Sequence, residues 1–306
     1  MGSGSLFGTI ASYARVFAPG KGEPAYAHAL ALFPDAASGY EYSGFIRKRP
    51  LPQGDMDLPP EFFYFVLVGL AAQLVDGALG MAYGITSSSL LLALGLPPAL
   101  ASASVHAAEV ATSGVSGLSH LHFGNVDKQL VWKLAVPGVA GGIAGALLLS
   151  WVDWYWLRPL VAAYLLVLGV MLVRRAWRGV RAPVRHRGNT PLGLGAGFLD
   201  AVGGGGWGAL TTTGLMARHV EPRFAIGTAN AAEFFVSLAI SVVFLATLGI
   251  SHTHVVLGLL VGGVIAAPFA AWLARRIPAR PLMAAVGLLV AGVSVYNLLK
   301  PIILSP

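Results

Sequence analysis

Two long stretches of the chain, residues 61 to 175 and 190 to 300, are successions of apolar segments with scarcely a charge inside them. Each segment is long enough to reach across ~30 Å of hydrocarbon at about 1.5 Å of rise per residue. Hydrocarbon offers no water to backbone N–H and C=O groups, so only helices or closed barrels are admissible there. The segments lack the period-two alternation of barrel strands and are rich in Ala, Leu and Gly, which selects helices packed through small residues. Composition agrees: 56% of the residues are hydrophobic, 11% are charged, and mean hydropathy is +0.72. Such values exclude a water-soluble domain.

Residues 1–60 differ, carrying Gly, Pro, Ser and scattered charges, with apolar patches such as Ala27 to Phe33 that are too short to span. They read as a soluble or membrane-surface extension, for which a disordered tail and a surface-lying helix both fit. No basic start followed by an apolar run stands after Met1, so a secretory signal is not expected. The net charge of +7 invites a nucleic-acid partner, but Arg174, Arg175, Arg178, Arg181, Arg185 and Arg187 crowd one place. A basic linker over 176–189 is expected to be cytoplasmic and to set topology, and no nucleic acid is expected. The chain has no cysteine, which removes disulfides, thiolate metal ligands and sulfur transfer through a protein thiol.

Aligned with itself, the chain repeats without gaps. Asp76 falls on Asp200, Gly80 on Gly204, Gly84 on Gly208, Pro98 on Pro222 and Glu109 on Glu233, every pair 124 residues apart. Arg158-Pro159-Leu160 returns as Arg280-Pro281-Leu282, so the duplication covers nearly the whole membrane region. A first membrane repeat over 61–175, a second over 190–300 and a C-terminal tail over 301–306 follow. Five helical segments are expected in each half, at about 61–78, 84–96, 100–121, 130–150 and 157–175 and their counterparts. The first two are short and joined by glycine, the pattern of discontinuous helices around a midplane site. An odd number of crossings per half makes the halves inverted relative to one another. The expected fold is therefore an all-α polytopic membrane protein of two inverted-topology repeats with Gly-broken short helices at the midplane. Arg218, Arg223, Arg275, Arg276 and Arg280 suit the cytoplasmic side of that plan, whereas Arg47, Lys48 and Arg49 do not.

Two groups of residues could carry chemistry. Around the glycine turns, Asp76-Gly77-Ala78-Leu79-Gly80 through Gly84 is matched by Asp200 with Gly203-Gly204-Gly205-Gly206-Trp207-Gly208. After each turn comes a hydroxyl run, Thr86-Ser87-Ser88-Ser89 or Thr211-Thr212-Thr213. Uncapped N–H groups, a positive dipole end and clustered hydroxyls make an anion site, although Gly and Ser also serve close helix packing. On the third helix, Ser102, Ser104, His106 and Glu109 are matched by Thr228, Asn230 and Glu233. A spacing of three puts His106 with Glu109, and Asn230 with Glu233, on one helical face, as ion pathway or as interhelical glue. The pairs His120/His122 and His252/His254 fall at opposite membrane faces under inversion and cannot share a metal. No metal and no cofactor is expected.

With these residues in hand, the chain resembles the TauE/SafE family of sulfite exporters, also called the toluene-sulfonate uptake permease family. The resemblance covers about 61 to 300 and is carried by GLAAQLVDGALGMAYG and GLGAGFLDAVGGGGWG, by Pro97-Pro98 leading into ASASVHAAEV, and by Pro222 leading into IGTANAAEF. The first turn departs from the family's glycine-rich pattern, reading Leu79-Gly80-Met81-Ala82, and both turns carry an Asp. The resemblance implies a multi-pass secondary transporter of the bacterial inner membrane, not an enzyme, that moves sulfite, sulfonates or related organic anions. The expected substrate site comprises Gly84, Thr86, Ser87, Ser88, Ser104 and His106 from the first half. Gly204, Gly205, Gly206, Thr211, Thr212, Thr228 and Asn230 come from the second. Asp76, Glu109, Asp200 and Glu233 are poor ligands for an anion when ionised, so some of them are expected to serve as proton or sodium sites, or as helix glue. The partners are thus a small anion, the lipid bilayer and a coupling proton or sodium ion, with a dimer as one admissible assembly. A cation or metal-ion transporter, and a membrane enzyme or accessory subunit, are the rival readings.

Overall fold

The computed structural model describes residues 61–79, 81–152, 154–178, 189–249, 253–276 and 279–304. The N-terminal extension with Arg47, Lys48 and Arg49 lies outside the described residues, as do Gly80, Asp153, Arg181, Arg185, Arg187, Ser251, His252 and the last two residues of the tail. Every regular element among the described residues is a helix. In order these are α1 (Phe62–Leu79), α2 (Tyr83–Ala93), α3 (Pro98–His122), α4 (Lys128–Trp151), α5 (Trp154–Arg178), α6 (Asn189–Gly203), α7 (Trp207–Met216), α8 (Pro222–Leu248), α9 (Thr253–Arg276) and α10 (Ala279–Leu304).

Local chemistry explains the boundaries. Pro98 and Pro222 stand at the first positions of α3 and α8, where a missing N–H costs nothing and a fixed φ favours the helix. Asp127 caps α4, its Oδ1 accepting from Gln129 N and Leu130 N at 3.0 Å each. The stretches Lys128–Trp151, Trp156–Trp177, Pro222–Leu248 and Arg280–Lys300 are long and apolar enough to cross a membrane, and shorter apolar stretches run over Phe62–Asp76 and Thr253–Ala266. Leu118, Val136, Leu160, Val167, Val264 and Leu288 are each more than 60% exposed. Side chains of that kind in that number face lipid.

The helices interlock across the sequence duplication. The first helix of each half packs on the fourth helix of the other: α1 on α9, and α6 on α4. Matched glycines make both crossings close. A Cβ on Gly69 would stand 2.7 Å from Leu259 Cα, and one on Gly193 would stand 2.6 Å from the Leu134 carbonyl oxygen. Such closeness multiplies van der Waals contact, the main source of helix association where the surroundings are already apolar. The third helices, α3 and α8, pack on each other. One apolar cluster gathers Leu134, Leu149, Trp207, Val236, Ile240 and Phe244, and another gathers Ile85, Leu92, Leu165, Leu168, Leu172 and Val290.

Candidate functional site

Both short helices begin at an irregular turn, and both turns are built alike. Between α1 and α2, Ala82 takes the left-handed conformation at φ 99°. Between α6 and α7, Gly204, Gly205 and Gly206 stand at φ 68°, 150° and 136°. A carboxylate seven residues upstream then receives the first N–H of the new helix: Asp76 Oδ1 accepts from Tyr83 N at 3.3 Å, and Asp200 Oδ1 from Trp207 N at 2.8 Å. Each Asp thus satisfies an orphan donor and sits at the positive end of a helix dipole.

The two turns meet. A Cβ on Gly84 would lie 2.6 Å from Gly205 Cα and 2.7 Å from Glu109 Oε1, and one on Gly208 would lie 3.4 Å from Met81 Cβ. Gly84 and Gly208 are matched positions, and so are Met81 and Gly205, so each contact is the counterpart of the other.

Beside this crossing lies a small cavity of about 30 Å³, lined by Asp76, Met81, Ala82, Tyr83, Gly84 and Ile85, by Glu109, Thr112, Ser113 and Ser116 of α3, by Gly206, Gly208 and Ala209, and by Asn230 and Glu233 of α8. That volume accommodates one or two waters or an ion of similar size. Asn230 Nδ2 donates to Ser116 Oγ at 2.7 Å. Met81 is backed by Arg175, whose guanidinium reaches Met81 Sδ at 3.4 Å, Met216 Sδ at 3.1 Å and Thr213 Oγ1 at 2.5 Å.

Behind the cavity wall, His106 is wholly buried and tied at both ring nitrogens. Nδ1 lies 2.8 Å from the Ser102 carbonyl oxygen, and Nε2 lies 3.1 Å from Asp200 Oδ2. Glu109 Oε2 stands 4.0 Å from Nε2 and has no hydrogen-bond partner among the described residues. Ser102 Oγ donates to the Ala201 carbonyl at 2.6 Å, a second link from α3 to α6. His106, Glu109 and Asp200 bring one ligand-type atom each within 4.8 Å of one another. Both Asp200 oxygens are already bonded, to Trp207 N and to His106, so the cluster is filled by its own contacts.

Of the residues expected at the site, Asp76, Gly84, Glu109, Gly206, Asn230 and Glu233 line the cavity. His106 and Asp200 stand behind it. The hydroxyl runs lie elsewhere: Thr86, Ser87, Ser88, Thr211 and Thr212 are buried between helices. Ser88 Oγ donates to the Gly204 carbonyl, and Thr211 Oγ1 to the Trp207 carbonyl at 2.6 Å. The hydroxyls of Thr86, Ser87, Ser104 and Thr212 have no partner among the described residues. Thr228 Oγ1 accepts from Asp127 N at 3.1 Å, and Gly204 and Gly205 pack on α2. Tyr83, Thr112, Ser113 and Ser116 line the cavity without having been anticipated. The last three had a readable signal, since 109, 112, 113 and 116 follow the i, i+3, i+4, i+7 spacing of one helix face.

Apolar helices long enough to span a bilayer, folded around an internal polar cavity, define a multi-pass membrane transporter. The chain belongs to the family described as sulfite exporter TauE/SafE, whose model matches residues 65–297. It is 46% identical over 222 residues to the probable membrane transporter protein YtnM of Bacillus subtilis (strain 168), an alignment covering 69% of this chain and 74% of that protein. No solved structure matches it.

Proposed function

We propose that this protein is a secondary transporter that carries a small sulfur-containing anion, sulfite or a sulfonate, across the bacterial inner membrane, through a site between two inverted-topology repeats. One observation carries the reading: the cavity is walled by matched positions of both halves, Ala82 with Gly206, Gly84 with Gly208, Ile85 with Ala209, and Glu109 with Glu233. A site on the axis that relates two halves is what alternating access requires, since either half can then uncover it. Five helices per half and the reciprocal packing of α1 on α9 and α6 on α4 support inversion, with the broken helices at the midplane. The sulfur-containing substrate rests on the family's description.

Backbone N–H groups at the two turns, the Ser116 hydroxyl and the remaining amide hydrogen of Asn230 would face the oxyanion, the Ser113 hydroxyl donating instead to the Glu109 carbonyl at 2.5 Å. Asp76, Glu109 and Glu233 would repel it when ionised, because two like charges about 5 Å apart at an effective dielectric of about 20 repel by roughly 3 kcal/mol. Anion occupancy is therefore linked to uptake of a proton or sodium ion by these carboxylates. Export of a dianion down a negative-inside potential is favourable by about 4.6 kcal/mol per 100 mV, whereas import needs such coupling. The three carboxylates also favour a second reading, transport of a cation.

Uptake measured in liposomes holding the purified chain separates the two. The expected result is saturable sulfite flux, competed by sulfonates, that follows membrane potential and pH gradient. Cation flux with no response to sulfite would replace the first reading by the second.

A further inference from the structure

Hydrogen-bond stereochemistry counts the protons on His106. The Ser102 carbonyl can only accept, so Nδ1, 2.8 Å from it, carries a hydrogen. Nε2 faces Asp200 Oδ2 at 3.1 Å, and two acceptors do not approach so closely without a hydrogen between them. The pair therefore holds one proton more than a neutral imidazole and a carboxylate, whether written as an ion pair or as imidazole and acid. This proton joins α3 of the first half to α6 of the second. Among the described residues the matched position shows no such link: Asn230 replaces His106, donates one amide hydrogen to Ser116, and cannot titrate.

Resting on the transport reading above, we infer that the proton between His106 and Asp200 is the coupling ion of this transporter and that it latches the two halves together. The ionisable groups facing Asp200 are Glu109 on α3, Glu233 on α8 and Tyr164 on α5, and those facing Glu109 in turn include Asp76 on α1 and Tyr83 on α2. Glu109 is the acceptor, since its Oε2 is buried, without a partner among the described residues and 4.0 Å from Nε2, and the same side chain lines the cavity. In the release step the carboxyl closes by about 1 Å to hydrogen-bond distance. The Nε2–H bond breaks and an O–H bond forms on Glu109, turning imidazolium and carboxylate into two neutral groups. Asp200 is then left facing an imidazole lone pair, the attraction across the halves is lost, and the contact opens. Proton release and conformational change become one event.

The test needs no substrate. Because the chain has no cysteine, Ser113→Cys on the cavity wall is the sole thiol in the full-length protein. Its labelling by a membrane-impermeant thiol reagent, normalised to the unfolded protein at the same pH, reports opening. Labelling should be about five-fold faster near pH 8.5 than near pH 6 as the latch loses its proton. His106→Gln, whose amide donates to Asp200 at every pH, should be slow at both; His106→Ala should be fast at both. The opposite signs distinguish a latch from general loosening. Unchanged pH dependence in both variants, a wild-type rate indifferent to pH, or a stoichiometric metal ion in the purified protein would overturn the inference. A labelling switch without sulfite flux would leave the latch standing and remove the anion reading; sulfite flux without the switch would do the reverse.

Discussion

The two half-sites share a frame and differ in content. In one, Asp200 caps α7 through Trp207 N and is itself held by His106, with Trp207 wholly buried and its Nε1 donating to the Ala229 carbonyl at 3.0 Å. In the other, Asp76 caps α2 through Tyr83 N at the longer 3.3 Å, and Tyr83 and Asn230 line the cavity. The first half-site is packed shut and the second is open. Duplication thus supplied two equivalent scaffolds, and substitution at matched positions, His106 for Asn230, Trp207 for Tyr83 and Ser102 for Ile226, gave structure to one and ligand space to the other.

The strongest way to break this comparison is at the turns. Gly205 takes φ 150°, and a Cβ there would fall against the Gly84 backbone, with Gly84 Cα at 2.5 Å. Gly205→Ala combines backbone strain with overpacking, together about 3 kcal/mol or more, and is expected to abolish the monodisperse, detergent-solubilised protein. Met81 occupies the matched position of the first turn with a full, buried side chain, so Met81→Ala strains no backbone and should give a folded, monodisperse protein of lower stability, by about 2 kcal/mol for the cavity it leaves. Size-exclusion profiles of the two variants decide it; survival of Gly205→Ala would mean that the packed turn can relax as the open one does.

Next in size is the contrast between the caps. Asp200 is fully buried with two partners, whereas Asp76 is half-buried with one long bond. Removing a buried, bonded charge leaves its partner uncompensated, so Asp200→Ala should cost about 3 kcal/mol or more. Asp76→Ala should cost only the ~1 kcal/mol of a helix cap. Unfolding of the solubilised protein in mixed micelles measures both. Equal losses would show that the two half-sites are mechanically equivalent.

How much of this was legible in the chain follows from the kind of signal involved. The constant spacing between Asp76 and Asp200, or Glu109 and Glu233, and the length of the apolar segments are one-dimensional properties, and they located the helices and the paired turns to within a few residues. The identity of the cavity-lining hydroxyls is a question of which way a side chain points. Four successive residues such as Thr86 to Ser89 sweep around a helix, so their position just after the turn said nothing about which of them met the cavity. All four are buried among helices, while Ser113 and Ser116, on the face already marked by Glu109, are the hydroxyls that reach it. The partner of His106 was beyond reach for a different reason. Asp200 lies 94 residues away, and only the folding of α6 against α3 brings the two within 3.1 Å.

The smallest predicted effect sharpens the comparison most, because it separates affinity from stability. Ser116 Oγ accepts from Asn230 Nδ2 at 2.7 Å, which leaves its own O–H free to donate toward the cavity it lines. Ser102 Oγ, in the other half-site, donates at 2.6 Å to the Ala201 carbonyl and does not line the cavity. A neutral hydrogen bond contributes about 0.5–1.5 kcal/mol. Ser116→Ala should therefore weaken sulfite binding by about 2- to 10-fold, and it should also lower stability by about 1 kcal/mol because the Asn230 amide loses its acceptor. Ser102→Ala should lower stability by about 1 kcal/mol as it strands a buried carbonyl, with sulfite affinity unchanged. Both variants are read by the same two measurements, sulfite binding and unfolding of the solubilised protein. If Ser102→Ala weakened binding as much as Ser116→Ala, the packed half-site would have to reach the ligand too, and the division of labour between the two scaffolds would fall.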